Sequence, residues 1–298
     1  QDELDAALRS EEPLRLVPTE DRNGHGTFLA SVAAGGENIQ EGFTGAASEA
    51  EIAVVKLKEA KDYLRKFYGI RQKAVCYQET DIAQGLRYLH LLALKKQKPL
   101  VMCVALGTNL GGHNGMSSLS RILGSYSRLV DRCVVIGGGN EANERHHFQG
   151  KLNQVGEVQE VEMRVESGNT GFVAELWGTI PNIVTAYLIS PSGERSPVIS
   201  IRQGSRYQLT FPFEQTVVDV EYQLFLRDGR SQLLFLKFDH PAQGIWKIGV
   251  QSLGRADGEF HIWLPVREFL DGNVYFLEAS PDVTLTEPAN TDDPITVA

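Results

Sequence analysis

A histidine between two glycines is the clearest candidate for acid–base chemistry in this chain of 298 residues. The glycines on either side of His25 let the backbone turn sharply and keep bulk away from the imidazole. Apolar residues follow at helical spacing from Phe28 to Ala33. We therefore predict that His25 begins a buried helix with its ring facing a cleft, where an imidazole can serve as a general base. The alternative is a loop histidine beside a turn.

Two apolar segments further along the chain are typical of buried strands, and both end in small polar sequence. They are residues 100–107 and 134–141. An amphipathic helix at residues 81–96 precedes the first segment, and a second helix at 118–129 lies between the two. This alternation predicts a parallel sheet with right-handed crossovers, in which ligands bind beyond the carboxyl ends of the strands.

Three short motifs, in their order and rough spacing, resemble the subtilisin-like serine proteases, or subtilases. They are His25-Gly26-Thr27, Ala105-Leu106-Gly107 and Gly138-Gly139-Asn140. The resemblance implies that His25 is the catalytic base and that Asn140 supplies the oxyanion-hole amide. We expect these two side chains to meet at one edge of the sheet.

The same resemblance implies two groups of substrate-binding residues. One group pairs with the substrate backbone, and it consists of Ala105, Leu106 and Gly107. The other leaves room for the side chain before the scissile bond, and it consists of Gly137, Gly138 and Gly139. The implied substrate is a protein or peptide.

The chain carries one member of the Ser-His-Asp triad that the resemblance implies. The subtilase nucleophile motif, Gly-Thr-Ser followed by small residues, does not occur, and neither does Gly-x-Ser-x-Gly. Asp2, Asp5 and Asp21 precede His25, but none follows an apolar strand. We therefore expect a fragment of a serine endopeptidase that is inactive by itself, because a base without a nucleophile cannot form an acyl-enzyme. The alternatives are a pseudoprotease with a regulatory role and a ligand-binding role of the β-rich part.

From about residue 155 the hydrophobic pattern changes to period two, which predicts a β-sandwich or jelly roll of many short strands. Residues 188–193 and 244–248 resemble the jelly-roll domains that accompany some subtilases. Residues 294–298 resemble the subtilase strand that follows the oxyanion region. A β-domain inserted at this place is similar to the clostridial spore-germination (Csp) proteases, which implies a bacterial cytoplasm or spore.

The predicted fold class is α/β, with a partial subtilisin-like parallel sheet, flanking helices and an inserted all-β jelly-roll or β-sandwich domain. We place the partial subtilase domain at residues 1–150, the inserted domain at 151–280 and the return segment at 281–298. Residues 52–57 suit a further buried parallel strand, and residues 59–78 form an insertion or a helical excursion. The strands predicted in the inserted domain are 158–165, 172–176, 184–189, 207–211, 217–225, 233–238, 245–250 and 260–264, with turns that include 228–229 and 257–258.

The composition of the chain limits the kinds of binding partner and the cellular compartment that we expect. The net charge of -9 argues against a general nucleic-acid-binding surface, and no apolar run is long enough to cross a bilayer. The 3 cysteines, Cys76, Cys103 and Cys133, do not form a CxxC motif. We interpret them as structural, with Cys103 and Cys133 buried in strands, and favour a reducing compartment.

A metal site is the remaining alternative near the second glycine-rich segment. His146 and His147 lie close in sequence to Glu141 and Glu144. Metal ligands have to converge, whereas adjacent side chains of an extended segment point apart. We therefore predict no metal at these residues and no cofactor.

Overall fold

The computed structural model describes residues 2–224, 226, 229–254 and 258–298, which form two compact units. The first unit extends to Lys58, and the second runs from Glu59 to Ala298. His25 belongs to the first unit, and the other site residues named above belong to the second. The meeting of His25 with Asn140 stays a prediction.

The first unit contains helices α1 (Asp2–Leu8), α2 (Pro13–Leu16) and α3 (His25–Ala34). The strand predicted at residues 52–57 is wrong, since this segment is not in a strand and both Ile52 and Val54 are exposed. An apolar run becomes a strand only where a neighbouring chain takes up its backbone hydrogen bonds. The only bridge described within this unit joins Asn38 and Phe43, so the segment has no partner strand there.

The second unit begins with the segment predicted as an insertion or a helical excursion, and this segment contains helix α4 (Asp62–Phe67). Phe67 stacks on Phe235, with the ring centroids 5.4 Å apart. The buried guanidinium of Arg65 donates to the carbonyl oxygens of Ala60 and Ala74. This segment is therefore internally cross-linked and packs on the β-rich part of its unit.

An alternation of helices and strands follows in the predicted order, as α5 (Glu79–Lys96), β1 (Leu100–Val104), α6 (Ser118–Ser127) and β2 (Arg132–Gly137). Helix α5 buries a stripe at helical spacing, and α6 begins where the Ser117 hydroxyl accepts the Ser120 N–H. The last strand, β13 (Ile295–Val297), pairs parallel with β2, which gives a sheet in the order β1-β2-β13. The predicted parallel sheet is confirmed. Among the described residues, no helix has the length and apolar character that crossing a membrane requires.

The two faces of this three-stranded sheet differ in burial within the second unit. Met102, Val134 and Ile136 are buried, and helices α5 and α6 contact β1 and β2. On the opposite face Val101 is 68% exposed, and Cys103 beside it is exposed as well. The prediction of a buried Cys103 is therefore wrong, because this side of β1 is accessible to water. Ile295 and Val297 of β13 are also exposed.

The β-rich part of the second unit forms two antiparallel sheets. One has the order β3-β11-β5-β9-β8-β7 and the other the order β12-β4-β10-β6. A short 3-10 helix, Arg267–Phe269, precedes the last of these strands. The strands are β3 (His147–Leu152), β4 (Val158–Val165), β5 (Gly171–Thr179), β6 (Val184–Ile189), β7 (Ser205–Phe211), β8 (Thr216–Gln223), β9 (Ser231–Asp239), β10 (Gly244–Ser252), β11 (Gly258–Trp263) and β12 (Val274–Phe276).

Side chains from both sheets form one hydrophobic core. Phe238 of the larger sheet packs edge-on against Trp246 of the smaller sheet, with the ring centroids 5.4 Å apart. Both side chains are fully buried, and removal of such apolar area from water stabilises a fold by about 25 cal/mol per Å². Two layers around one core account for the period-two pattern of this sequence. The assignment as an inserted jelly roll stays a prediction.

Each of the predicted strands from residue 158 onward has an observed counterpart, with ends that differ by a few residues. Strands β3 and β12 were not predicted. The sequence of β3 contains a glycine and polar residues, and β12 has three residues, too few to show a period. Phe225, Asp228 and Asp257, which end a predicted strand or begin predicted turns, lie outside the described residues.

Candidate functional site

Helix α3 begins at His25, and Asp21 fixes its first turn. Gly24, at the N-cap, has a φ of 81°, which glycine adopts without strain. Since glycine has no side chain to cap a helix, the Asp21 carboxylate does so instead. It accepts the backbone N–H groups of Gly24 and Thr27, both at 2.9 Å, and the Thr27 hydroxyl at 2.8 Å. These hydrogen bonds, chiefly those from Thr27, lower the pKa of the Asp21 carboxyl.

Replacement of Asp21 with alanine is expected to loosen this first turn, because the N–H groups at the helix start lose their acceptor. Acid should act in the same way. A carboxyl with a depressed pKa contributes its full stabilisation above its ordinary pKa of about 3.9, and this contribution is lost as the pH falls toward the lowered value. Faster amide hydrogen exchange at residues 25–31 is the expected result. Asp5→Ala, in another helix, is the control, and unchanged exchange in Asp21→Ala would contradict the capping role.

No residue of α3 is buried, so the prediction of a buried helix is wrong. Phe28 is 66% exposed, and His25 is exposed as well. Within the described first unit there are helices and one bridge but no sheet, so the apolar stripe has no sheet of its own unit to pack against. The helix is held at its end instead, where Ala46 N–H donates to the Val32 carbonyl oxygen at 3.0 Å.

The carboxyl ends of β1 and β2 lie side by side in the second unit. Val104 pairs with Ile136 in parallel register. Beyond this pair, a Cβ built on Gly137 would lie 3.7 Å from the Cα of Ala105. Leu106 is half-buried and Gly107 is exposed. Residues 105–107 and residues 137–139 therefore lie next to each other at one edge of the sheet.

Thr286 fills the space between these two segments. A Cβ on Gly107 would lie 2.1 Å from the Thr286 hydroxyl oxygen, and a Cβ on Gly139 would lie 2.6 Å from its methyl carbon. Thr286 N–H also donates to the Gly138 carbonyl oxygen at 3.0 Å, and a Cβ on Gly138 would meet Leu285 at 2.9 Å. The room that these glycines create is thus used, in the described chain, by residues 285 and 286.

Asn140 follows the three glycines and is exposed, whereas the next residue is buried. The Glu141 carboxylate accepts the side-chain amide of Asn109 at 2.7 Å, and Nδ1 of His146 lies 2.7 Å from the same oxygen. Asn109 belongs to the loop that follows β1, at residues 107–116. A buried carboxylate therefore joins this loop to the segment that carries Asn140.

A second buried carboxylate holds the same loop from the β-rich part. Glu175 of β5 accepts the backbone N–H of Gly111 at 2.9 Å and the indole N–H of Trp177 at 3.0 Å. Burial raises the pKa of the Glu175 carboxyl, and the nearby Glu287 raises it further. The loop after β1 is thus fastened on both sides by glutamates.

Stacked rings form the third attachment of this loop. His113 lies flat on Trp263, with ring centroids 4.2 Å apart, and its Nδ1 lies 2.9 Å from the Leu285 carbonyl oxygen. His147 and His261 stack on the same indole, and His147 Nε2 lies 3.0 Å from His261 Nδ1. Burial, together with the proximity of His261, lowers the pKa of His147 to about 4, and burial also lowers the pKa of His113 and of His261. These imidazoles are therefore neutral packing groups at neutral pH.

The adjacent histidines have separate partners, since His146 faces Glu141 and His147 faces His261. Within the described ranges, no group of three or more His, Cys, Asp or Glu side chains could hold a metal ion.

The family follows from a comparison with known sequences. The profile of the Subtilase family matches residues 9–212, which is more than half of the chain. This chain belongs to the subtilase family. Its fold is similar to that of the CspB protease of Clostridium perfringens, with a TM-score of 0.83 and 27% sequence identity. The match covers 99% of this subtilase and 60% of that protein, so the chain spans less than two thirds of that relative's length.

A lipase of Bacillus licheniformis, BlEst2 in its propeptide form, matches 66% of this subtilase and 67% of its own chain. Its TM-score of 0.30 and its identity of 10% are too low to carry an argument. No curated protein sequence matches this subtilase.

Sequence reasoning did not assign Asp21, Glu141, Glu175 or Thr286 to the site. An aspartate shortly before a predicted helix is a recognised capping signal, so Asp21 could have been found. Glu141 drew notice only as a metal ligand. No local signal marks Glu175 and Thr286, because their partners lie far away in sequence, as Gly107 does from Thr286.

Proposed function

We propose that this subtilase chain supplies two catalytic groups of a serine endopeptidase. His25 is the general base, and Asn140 is the oxyanion-hole donor. The observation that carries the proposal is the edge formed by β1 and β2, where an exposed Asn140 follows three glycines that lie beside residues 105–107. Family membership supports the proposal. The substrate class is a protein or peptide.

In the proposed mechanism, His25 takes the proton of a serine Oγ as that oxygen attacks the peptide carbonyl, and returns it to the leaving amine. Asn140 donates its side-chain amide to the oxyanion of the tetrahedral intermediate, where negative charge develops. Residues 105–107 pair with the substrate backbone as an added strand. Their position after β1, an outer strand of its sheet, supports that pairing.

The domain organisation belongs to the same proposal. We place a partial subtilase domain at residues 1–150, an inserted jelly roll at 151–280 and a return segment at 281–298. Strands β2 and β13 are direct neighbours in one parallel sheet, although the β-rich part lies between them in sequence. An insertion accounts for this adjacency.

The proposal predicts that the 298-residue chain does not hydrolyse peptides and that the full-length protein carrying it does. The chain contains no Gly-Thr-Ser motif to supply the nucleophile. Both proteins would be treated with a fluorophosphonate probe, which labels activated serines, and assayed with a casein substrate. Labelling and turnover confined to the full-length protein is the expected result. Inhibitor-sensitive hydrolysis by the 298-residue chain would contradict the missing nucleophile.

One observation favours a second candidate, a subtilase-like regulator without turnover. Leu285 and Thr286 occupy the room beside Gly138 and Gly139 that a substrate side chain needs. The same labelling experiment separates the two functions, since a regulator of this kind leaves the full-length protein unlabelled and inactive.

A further inference from the structure

A buried carboxylate lies directly next to the residue proposed to bind the oxyanion. Glu141 follows Asn140 in the chain and is 6% exposed, although its neighbour is exposed. Glutamate is seldom buried without partners, because removal of a charge from water is costly. The partners of Glu141 therefore indicate what its burial accomplishes.

The Glu141 carboxylate has two buried partners, one from the loop after β1 and one from the residue before β3. The Asn109 side-chain amide donates to it at 2.7 Å, and Nδ1–H of His146 donates to the same oxygen at 2.7 Å. Asn109 and His146 are themselves buried. Nε2 of His146 lies 3.4 Å from Oδ1 of Asn273, which accepts the backbone N–H of Val274. The chain of contacts thus runs from the loop after β1 to the start of β12.

This chain of contacts joins the two sides of the proposed cleft. Asn109 lies two residues after Gly107, on the side proposed to pair with substrate, and Glu141 lies one residue after the proposed oxyanion donor. A hydrogen bond to an ionised acceptor is short and strong in a buried site. The hydrogen bond from Asn109 therefore joins the loop that follows Gly107 to the segment that carries Asn140.

We propose that Glu141 is a positioning residue, which holds Asn140 at the place where the oxyanion forms by anchoring its neighbour to Asn109 and His146. This inference rests on the proposed function. A positioning residue of this kind affects the transition state more than substrate binding, since the oxyanion exists only after the serine has attacked. Glu141 itself is buried, so this role requires no contact between its carboxylate and substrate.

Glu141→Ala removes the acceptor, and Glu141→Gln keeps an oxygen that can accept both hydrogen bonds. Asn109→Ala removes the donor on the opposite side and leaves the Glu141–His146 pair in place, so it tests the same link if Glu141→Ala fails to fold. Glu160→Ala is the matched control, because Glu160 contacts Tyr187 and Lys247 on a different sheet.

Two measurements are made on each variant. Amide hydrogen exchange at residues 107–111 and 139–142 of the 298-residue chain reports on the link itself. We expect exchange there to rise by about 10-fold or more in Glu141→Ala and Asn109→Ala, with exchange in the β-rich core unchanged. In the full-length protein, we expect kcat for a peptide substrate to fall by about 10- to 100-fold while KM stays within about twofold. In Glu141→Gln and in the control variant Glu160→Ala, the exchange rates and kcat should stay close to those of the parent protein.

Loosening of these segments together with a loss of kcat, and rescue of both by Glu141→Gln, would support the proposal. Unchanged exchange and kcat in both Glu141→Ala and Asn109→Ala, beside a low kcat in Asn140→Ala, would overturn the positioning role and leave the proposed function standing. A third outcome is faster exchange of these segments in Glu141→Ala together with a normal kcat in Asn140→Ala. This outcome would overturn both the oxyanion assignment and the positioning role. The failure of each idea is thus visible separately.

Discussion

Replacement of His25 with alanine in the full-length protein is expected to lower kcat by about 10⁶-fold, as loss of the triad histidine does in a subtilisin. Without the imidazole, the serine hydroxyl keeps its proton as it attacks, and the leaving amine departs without one. KM should change little, because the proton moves only after substrate has bound. The measurement is steady-state hydrolysis of a peptide substrate.

The control for this variant is His240→Asn in the β-rich part. His240 is an exposed histidine that lies 2.9 Å from Asp239, and its φ of 48° is one that asparagine tolerates. We expect the kcat of His240→Asn to equal that of the parent protein. Turnover within about tenfold of the parent in His25→Ala would rule out His25 as the general base, since a general base contributes at least about 10²-fold.

Replacement of Asn140 with alanine is expected to lower kcat by about 10² to 10³-fold with KM nearly unchanged. This magnitude is the one known for the asparagine donor of a subtilisin. The amide contacts the oxygen in the tetrahedral state, where its charge has developed, so its loss affects the barrier more than substrate binding. Asn140→Asp, which has almost the same volume, should be at least as damaging, because a carboxylate repels the oxyanion.

Asn153→Ala serves as the control for Asn140, since Asn153 is exposed and lies after β3 in the β-rich part. Parental kcat and KM are expected from it. A rise in KM at unchanged kcat in Asn140→Ala would mean that the residue binds the ground state of the substrate. The oxyanion assignment would then be wrong.

Local sequence signals were sufficient for most elements of this fold. The amphipathic stripe of α5 and the alternating apolar residues of β4 and β10 are properties of short segments, so periodicity predicts them. The segment at 52–57 is apolar as well, but strand formation also depends on a partner, which sequence does not reveal. The prediction that Cys103 is buried was wrong for a similar reason. Whether a strand is covered depends on the whole fold and not on the local sequence.

The residues of the candidate site also differ in whether the local sequence identifies them. A glycine pattern marks Asn140 in the sequence as a candidate, because the motif that it resembles has a characteristic order of residues. Nothing local marks Glu175, whose partner Gly111 comes from a loop 64 positions earlier. Nor does the sequence around Glu141 show that its carboxylate is buried against Asn109 rather than available to a metal. Motifs therefore identify candidate reactive groups, and only the fold identifies the residues that contact the segments carrying them.

The exposed apolar side chains of β1 and β13 have a consequence for the behaviour of this chain in solution. Val101, Ile295 and Val297 present to water the kind of surface that parallel sheets normally keep inside. Such a surface favours self-association, and the net charge of -9 opposes it by repulsion between molecules. Salt shortens the range of that repulsion to about 8 Å at 0.15 M and leaves the apolar attraction in place. Colloidal stability of the 298-residue chain should therefore decline as ionic strength rises.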